Sequence, residues 1–188
     1  VSASRGRHPS TGRRRSPCHD AADVDPSVLQ AMARWPKVPA VYGWLALDRR
    51  GNWLLKDPAG GGFGRVGNAA LREFIGRNYT ADERGRWYFQ NGPQRVFVAL
   101  AYAPLVLRYA GEALVDHCGR ATRARATFVD EEGSVLILGE RGLGLLDDRD
   151  LAHFAMRLGA DWRSLPRVAA REVAARFGFV SRPSDSLR

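Results

Sequence analysis

Three short stretches share one grammar: Asp48-Arg-Arg-Gly51, Asp82-Glu-Arg-Gly85 and Asp130-Glu-Glu-Gly133. Each is followed by one polar residue and then by Trp53, Trp87 or Val135 at the head of an apolar run. An Asp at this place accepts backbone N–H groups of the turn, and the Gly supplies the positive φ that closes it. The pattern therefore predicts hairpins. The first carries its own register, with Leu47 facing Trp53 and Leu45 facing Leu55 across a three-residue loop with a bulge. Trp44, Ala46 and Leu54 make the other side of that hairpin apolar too, so cover on both faces is expected. The three turns are separated by 34 and 48 residues, and unequal spacing excludes a stacked solenoid.

Between the turns the chain reads as strands. From Trp87 to Leu138 apolar runs alternate with Gly-containing turns, which predicts an antiparallel meander. Helices flank it. Asp25 caps and Pro26 opens the first, with Val28, Leu29, Met32 and Trp35 as its stripe and "PKVP" as its stop. Asn68 caps a second over "AALREFIGRNY", with Leu71, Phe74 and Ile75 on one face. Asp147 or Asp148 caps a third that ends at Gly159 and buries Leu151, Phe154, Ala155 and Leu158. "LPRVAAREVAARFGFV" adds a short helix and an extended piece, and "DPAGGGFGRVG" reads as a mobile loop. The fold class is thus α+β: a mainly antiparallel meander sheet with Asp-x-x-Gly hairpins and three to four flanking helices. "WLALDRRGNWLL…NAALREFIGRN" and "ATFVDEEGSVLIL…DDRDLAHFAMRLG" share an element order that suggests a duplicated ββα unit.

At 188 residues the chain fits one domain that buries about two thirds of its unfolded surface. We place that domain at residues 24–183, with disordered ends at 1–23 and 184–188. The first 23 residues are rich in Ser, Arg, Pro and Gly, and the chain opens on Val1, which suggests an over-extended start with the natural one near Val24. Two cysteines, Cys18 and Cys118, form no disulfide framework, so a reducing cytoplasm is expected. No window is apolar for the roughly 18 residues that span a bilayer, and no membrane role is expected.

The net charge of +9 invites a polyanion, but its distribution tempers that. Residues 1–23 hold five Arg and two Asp, residues 24–109 hold 12 basic and 6 acidic groups, and residues 110–188 hold 12 of each. The excess on folded sequence lies in the first half. A nucleic-acid surface would use the hairpin-tip arginines Arg49, Arg50, Arg84, Arg86 and Arg95.

The densest polar cluster is "RWYFQNGPQR". Asn91-Gly92 is a strong hairpin signal, and Arg86, Tyr88, Gln90, Asn91, Gln94 and Arg95 would form a rim for an anionic or planar ligand. The plainer account is a solvated hairpin tip whose aromatics are core. Asp147, Asp150 and His153 recur at helical spacing and are candidate metal ligands, although capping explains the aspartates without a metal. "GGGFGRVG" lacks a phosphate-loop lysine, no G-x-S-x-G is present, and Cys118 beside His117 is a pair of turn neighbours. No cofactor and no catalytic residue is expected.

The segments "VPAVYGWLALDRRGNW", "FIGRNYTADERGRWYFQNGPQRVFVAL" and "DEEGSVLI…LDDRDL" resemble a family of proteobacterial proteins known only as a domain of unknown function. The likeness covers roughly Val24 to Pro183, and departs from the family at Leu105, where an aromatic residue would stand. It implies no activity, cofactor or substrate. The function that results is a small, soluble, non-enzymatic binding domain with a protein or peptide partner. The alternative is a basic accessory protein that touches nucleic acid.

Overall fold

The structure, a computed structural model, describes residues 26–34 and 38–185. The predicted tail, the Asp25 cap, the Met32 side chain, Trp35 and residues 186–188 lie outside the described residues.

Among the described residues twelve strands form two sheets rather than one meander. The first contains β1 (Val41–Leu47), β2 (Trp53–Lys56), β3 (Phe63–Arg65), β4 (Tyr79–Ala81), β5 (Trp87–Asn91) and β6 (Gln94–Leu100), in the order β3-β2-β1-β6-β5-β4. The second contains β7 (Leu105–Ala110), β8 (Ala113–Asp116), β9 (Ala121–Thr122), β10 (Ala126–Val129), β11 (Val135–Gly139) and β12 (Gly142–Leu146), in the order β10-β11-β12-β7-β8-β9. Numbered by chain order and read from the matching edge, both run 3-2-1-6-5-4. In each, the first and last strands meet as a parallel pair, β1 with β6 and β7 with β12, while every other pairing is antiparallel. The duplicated unit is therefore six strands and not ββα. Asp82–Gly85 and Asp130–Gly133 occupy the same place in the two units, between the fourth and fifth strands.

The helices are α1 (Pro26–Arg34), α2 (Ala69–Arg77), α3 (Leu151–Leu158) and α4 (Val173–Phe177). Asn68 caps α2 by accepting the Leu71 N–H at 3.0 Å, as predicted. Asp147 caps a short 3₁₀ turn instead of α3 itself, and in α3 Phe154 is buried while Ala155 is exposed. Among the described residues no helix is long and apolar enough to cross a membrane.

One continuous core fills the space between the sheets. It takes Leu45, Leu47, Trp53, Tyr79, Trp87 and Phe89 from the first and Leu105, Leu107, Leu136, Ile137 and Leu145 from the second. Full burial of each aliphatic or aromatic side chain contributes about 1.5–3 kcal/mol, so the face-to-face contact is the main driving term. Tyr79 is central: its ring meets Trp53 and Trp87 at 4.9 and 4.8 Å, and its hydroxyl donates to the Pro104 carbonyl at 2.9 Å. The predicted register of the first hairpin holds, with Leu45 opposite Leu55 and Leu47 opposite Trp53. The expected cover on its outer side is partial: Ala46 and Leu54 are half-buried, while Trp44 remains 45% exposed. Two Gly-containing segments are strands, the first of them where a mobile loop is expected. Phe63–Arg65 emerges from "DPAGGGFGRVG", and Gly142–Leu146 contains Gly144, where a Cβ would lie 2.4 Å from the Leu107 side chain across the parallel pair.

Candidate functional site

Among the described residues five Asp-x-x-Gly turns occur; four share one full hydrogen-bond pattern, and in the fifth, Asp57–Gly60, the Asp57 carboxylate accepts the Ala59 N–H at 2.9 Å. Of those four, "DHCG" at Asp116–Gly119 is the copy that reading the sequence missed, because Cys and His at the tip hid the match. In all four a carboxylate oxygen accepts N–H groups two and four residues ahead: Arg50 and Asn52 on Asp48, Arg84 and Arg86 on Asp82, Cys118 and Arg120 on Asp116, Glu132 and Ser134 on Asp130, at 2.7–3.0 Å. Each Gly N–H returns to its Asp carbonyl, and each Gly has φ between +72° and +83°. The motif is thus a way of turning a corner, built locally by the Asp side chain.

What differs is where each corner is lodged. Gly51 of the Asp48 turn sits on His117 of the Asp116 turn, while Arg49 lies over the Tyr102 ring at 4.4 Å and donates to Ser134 Oγ at 2.8 Å on the Asp130 turn. Tyr102 in turn donates to Asp130 Oδ2 at 2.6 Å, which, with the turn N–H groups, holds the Asp130 carboxyl below its ordinary range against the opposing effect of burial. His117 Nδ1 accepts the Val106 N–H at 3.3 Å, and its Nε2 is sealed from solvent between Trp53 and Tyr79 although the residue as a whole keeps some exposure. Burial pushes its pKa down to about 4, and pushes the neighbouring Cys118 thiol up to about 12.

The Asp82 turn forms one wall of a cleft of about 960 Å³. Arg84, Arg86, Arg95 and Arg141 line it beside Tyr88 and Trp87, with Asp82 and Glu83 as its acids and Phe177–Phe179 as the far wall. Asp82 anchors Arg86 through contacts at 2.8 and 2.7 Å; burial works against the Arg86 charge, but this partner outweighs it and raises the pKa. The Arg86 guanidinium lies over Phe97 at 4.6 Å, Arg95 lies over Tyr88 at 4.7 Å, and Tyr42 stacks on Phe97 with centroids 4.7 Å apart. Burial raises the Tyr88 pKa, so its ring is a neutral platform.

The rim read from "RWYFQNGPQR" is brought together only in part. Arg86, Tyr88 and Arg95 share the cleft. Gln90 is buried and donates to the Gly92 carbonyl, Gln94 donates to the Pro39 carbonyl at 3.3 Å, and Asn91 is an exposed turn residue, none of them in the cleft wall. Arg141 joins from the second sheet, and no local sequence signal could have announced it. The five hairpin-tip arginines do not converge either. Arg84, Arg86 and Arg95 face the cleft, whereas Arg49 and Arg50 line a separate groove of about 280 Å³ and pair with Glu132 and Asp148.

The metal candidates are each engaged elsewhere. Asp147 is fully buried and grips Arg149 at 2.8 and 2.6 Å, which holds its carboxyl well below the usual range. Asp150 accepts the Tyr109 N–H at 2.8 Å, and the His153 ring packs on Tyr109 at 4.5 Å. No group of three potential ligands gathers among the described residues.

A model of the family DUF2944, described as "Protein of unknown function (DUF2946)", matches residues 24–184. No curated protein matches the chain. Among solved structures, a DUF1285 family protein from Silicibacter pomeroyi DSS-3 is similar with 16% identity, 70% of this chain and 75% of that chain covered, and a TM-score of 0.48. A DUF1285 family protein from Shewanella baltica OS155 is similar with 14% identity, 60% and 90% covered, and a TM-score of 0.41.

Proposed function

We propose that this chain, which belongs to the family DUF2944 of proteins of unknown function, is a cytoplasmic, non-enzymatic binding module that receives an acidic, extended segment of a protein partner in the cleft at the Asp82 turn. One observation carries the reading: four arginines and two acids line a cleft of about 960 Å³ whose floor includes Tyr88 and Trp87. Guanidinium groups match carboxylates through paired N–H donors, and aromatic bodies accommodate the apolar part of a peptide. Arg95 is already held by the Tyr88 ring, so less freedom is lost when it engages a ligand. Arg86 is anchored by Asp82 and shapes the wall. Cysteine use supports the cytoplasmic reading, Cys118 being a partly enclosed thiol outside any disulfide.

The test is a binding titration with a labelled Glu-rich peptide containing one aromatic residue. Arg84→Ala/Arg95→Ala should weaken binding about tenfold or more, since a hydrogen bond to a charged group contributes about 1.5–3 kcal/mol. Circular dichroism should show an unchanged melt, because both side chains are exposed. Equal affinity for the variant and the parent would remove the cleft as the binding site.

A further inference from the structure

A second surface lies on the outer face of the first sheet, where the pairing register gathers aromatic rings and cations from β1, β2 and β3. Phe63 on β3 stands opposite Lys56 on β2. The Leu45–Leu55 and Ala46–Leu54 pairs put Trp44 on β1 next in line with Lys56. β1 joins β6 at Leu45–Val98 after a register shift from Val41–Val96, and the β1 ring that stacks on Phe97 is Tyr42, at 4.7 Å. Phe97 stands opposite Tyr88 on β5. The face thus carries Phe63, Lys56 and Trp44 at one end and Tyr42, Phe97 and Tyr88 at the other.

Alternation of side chains sends Leu45, Val98 and Phe89 into the core and these side chains outward. At the β5 end the rings are covered: Tyr88 is 8% and Phe97 2% exposed, under the guanidinium groups of Arg95 and Arg86. At the β3 end they are bare: Trp44 is 45% and Phe63 47% exposed. Strands stand about 4.8 Å apart, so these two rings, separated by β2, are about 10 Å from one another with Lys56 between them. Arg65, opposite Leu54, adds a cation at the same end. Both Lys56 and Arg65 are exposed.

We propose that this face binds single-stranded nucleic acid, with bases stacked on Trp44 and Phe63 and phosphates against Lys56, Arg65 and Arg95. The chemistry on the page selects that occupant. Open rings separated by cations meet a ligand that alternates π faces with negative charge, and a flat sheet offers rings only to bases that are already unstacked. A folded duplex presents its phosphates but hides its base faces. An acidic peptide satisfies the cations, but it does not present a flat π face with every negative charge as a nucleotide does. The site is independent of the reading given to the cleft, with which it shares only the Tyr88 and Arg95 edge, and it differs from the hairpin-tip arginines, most of which are tied within the fold.

The experiment measures fluorescence anisotropy of labelled oligo-dT and oligo-rU of about 15 nucleotides, and of a duplex of equal length, against the full chain. Salt is varied from about 50 to 200 mM. Single strands should bind tighter than duplex, and Trp44→Ala/Phe63→Ala should weaken them at least about tenfold with the melting temperature unchanged. Lys56→Ala/Arg65→Ala should flatten the logarithmic salt slope by about 1.4, the value for two phosphate contacts on a single strand. The proposal is overturned if duplex binds as tightly as single strands, or if the Trp44/Phe63 double variant binds like the parent. It is equally overturned if that variant loses only a labelled acidic peptide, which would assign the face to a protein partner.

Discussion

Gly85→Ala and Gly133→Ala make the same chemical change at equivalent places in two copies of one turn, and the structure predicts unequal costs. Their φ angles are +72° and +83°, so both alanines bear the left-handed backbone penalty of about 1–2 kcal/mol. At Gly133 nothing lies within 4 Å of the new methyl group, and that penalty is the whole cost. At Gly85 the methyl group would stand 2.0 Å from the Gly178 carbonyl oxygen and 3.0 Å from the Phe179 Cα, both main chain. The C-terminal segment must then move. It is held there by Val180 N–H to the Gly85 carbonyl and Leu100 N–H to the Ser181 carbonyl, at 2.9 and 2.8 Å, about 1 kcal/mol each. It also buries Phe179, which contributes about 1.5–3 kcal/mol. Gly85→Ala should therefore cost about 4.5–7 kcal/mol in total, against about 1–2 for Gly133→Ala. Urea unfolding measures both, and a lowered m-value in the Gly85 variant would report native-state release of the segment. Costs within about 1 kcal/mol of each other would refute the reasoning, because the turn alone and not its lodging would then set the energy.

Three further outcomes follow from the other corners. The His117 pKa is about 4 in the folded protein against 6.5 for the free side chain, so the unfolded state takes up the proton first as pH falls. Stability should decline between pH 6.5 and about 4 by up to about 3 kcal/mol, and His117→Phe should remove that component from the urea midpoint measured across this window. Cys118, with its thiol pushed up to about 12, should resist a thiol reagent at neutral pH in the native state and react once unfolded; rapid native labelling would contradict its enclosure. Arg50→Ser breaks an exposed pair with Asp148 and should change stability by no more than about 0.5 kcal/mol, whereas Arg49→Ser loses the Tyr102 stack and the Ser134 bond and should cost about 1–2 kcal/mol. Thermal melts of the two variants separate them.

The candidate sites were legible to different depths. Arg86, Tyr88 and Arg95 could be read as neighbours because they lie on one hairpin, where period-2 alternation and Asn91-Gly92 set the register. Gln90 was misread as a rim residue because alternation says which side a residue faces but not whether that side is covered. Trp44 was misread the opposite way, as covered when it is open. Arg141 and the far wall at Phe177–Phe179 approach from other parts of the chain, and nothing near the Asp82 turn encodes their arrival.

The corner itself needs only its own residues. An Asp whose carboxylate reaches two N–H groups and a Gly free to take positive φ close the turn with interactions no more than four residues apart, so the sequence by itself determined the hairpin positions, the Leu45–Leu55 and Leu47–Trp53 register and the α+β class. Tertiary structure alone decided the rest. It made β3 and β12 strands in spite of their glycines, since a neighbouring strand supplies the hydrogen bonds that a loop would seek from water. It joined β1 to β6 and β7 to β12, turning one apparent meander into two copies of a six-strand sheet. And it gave four near-identical turns four different neighbours, because what packs against a corner is set by long-range burial to which the turn residues contribute little.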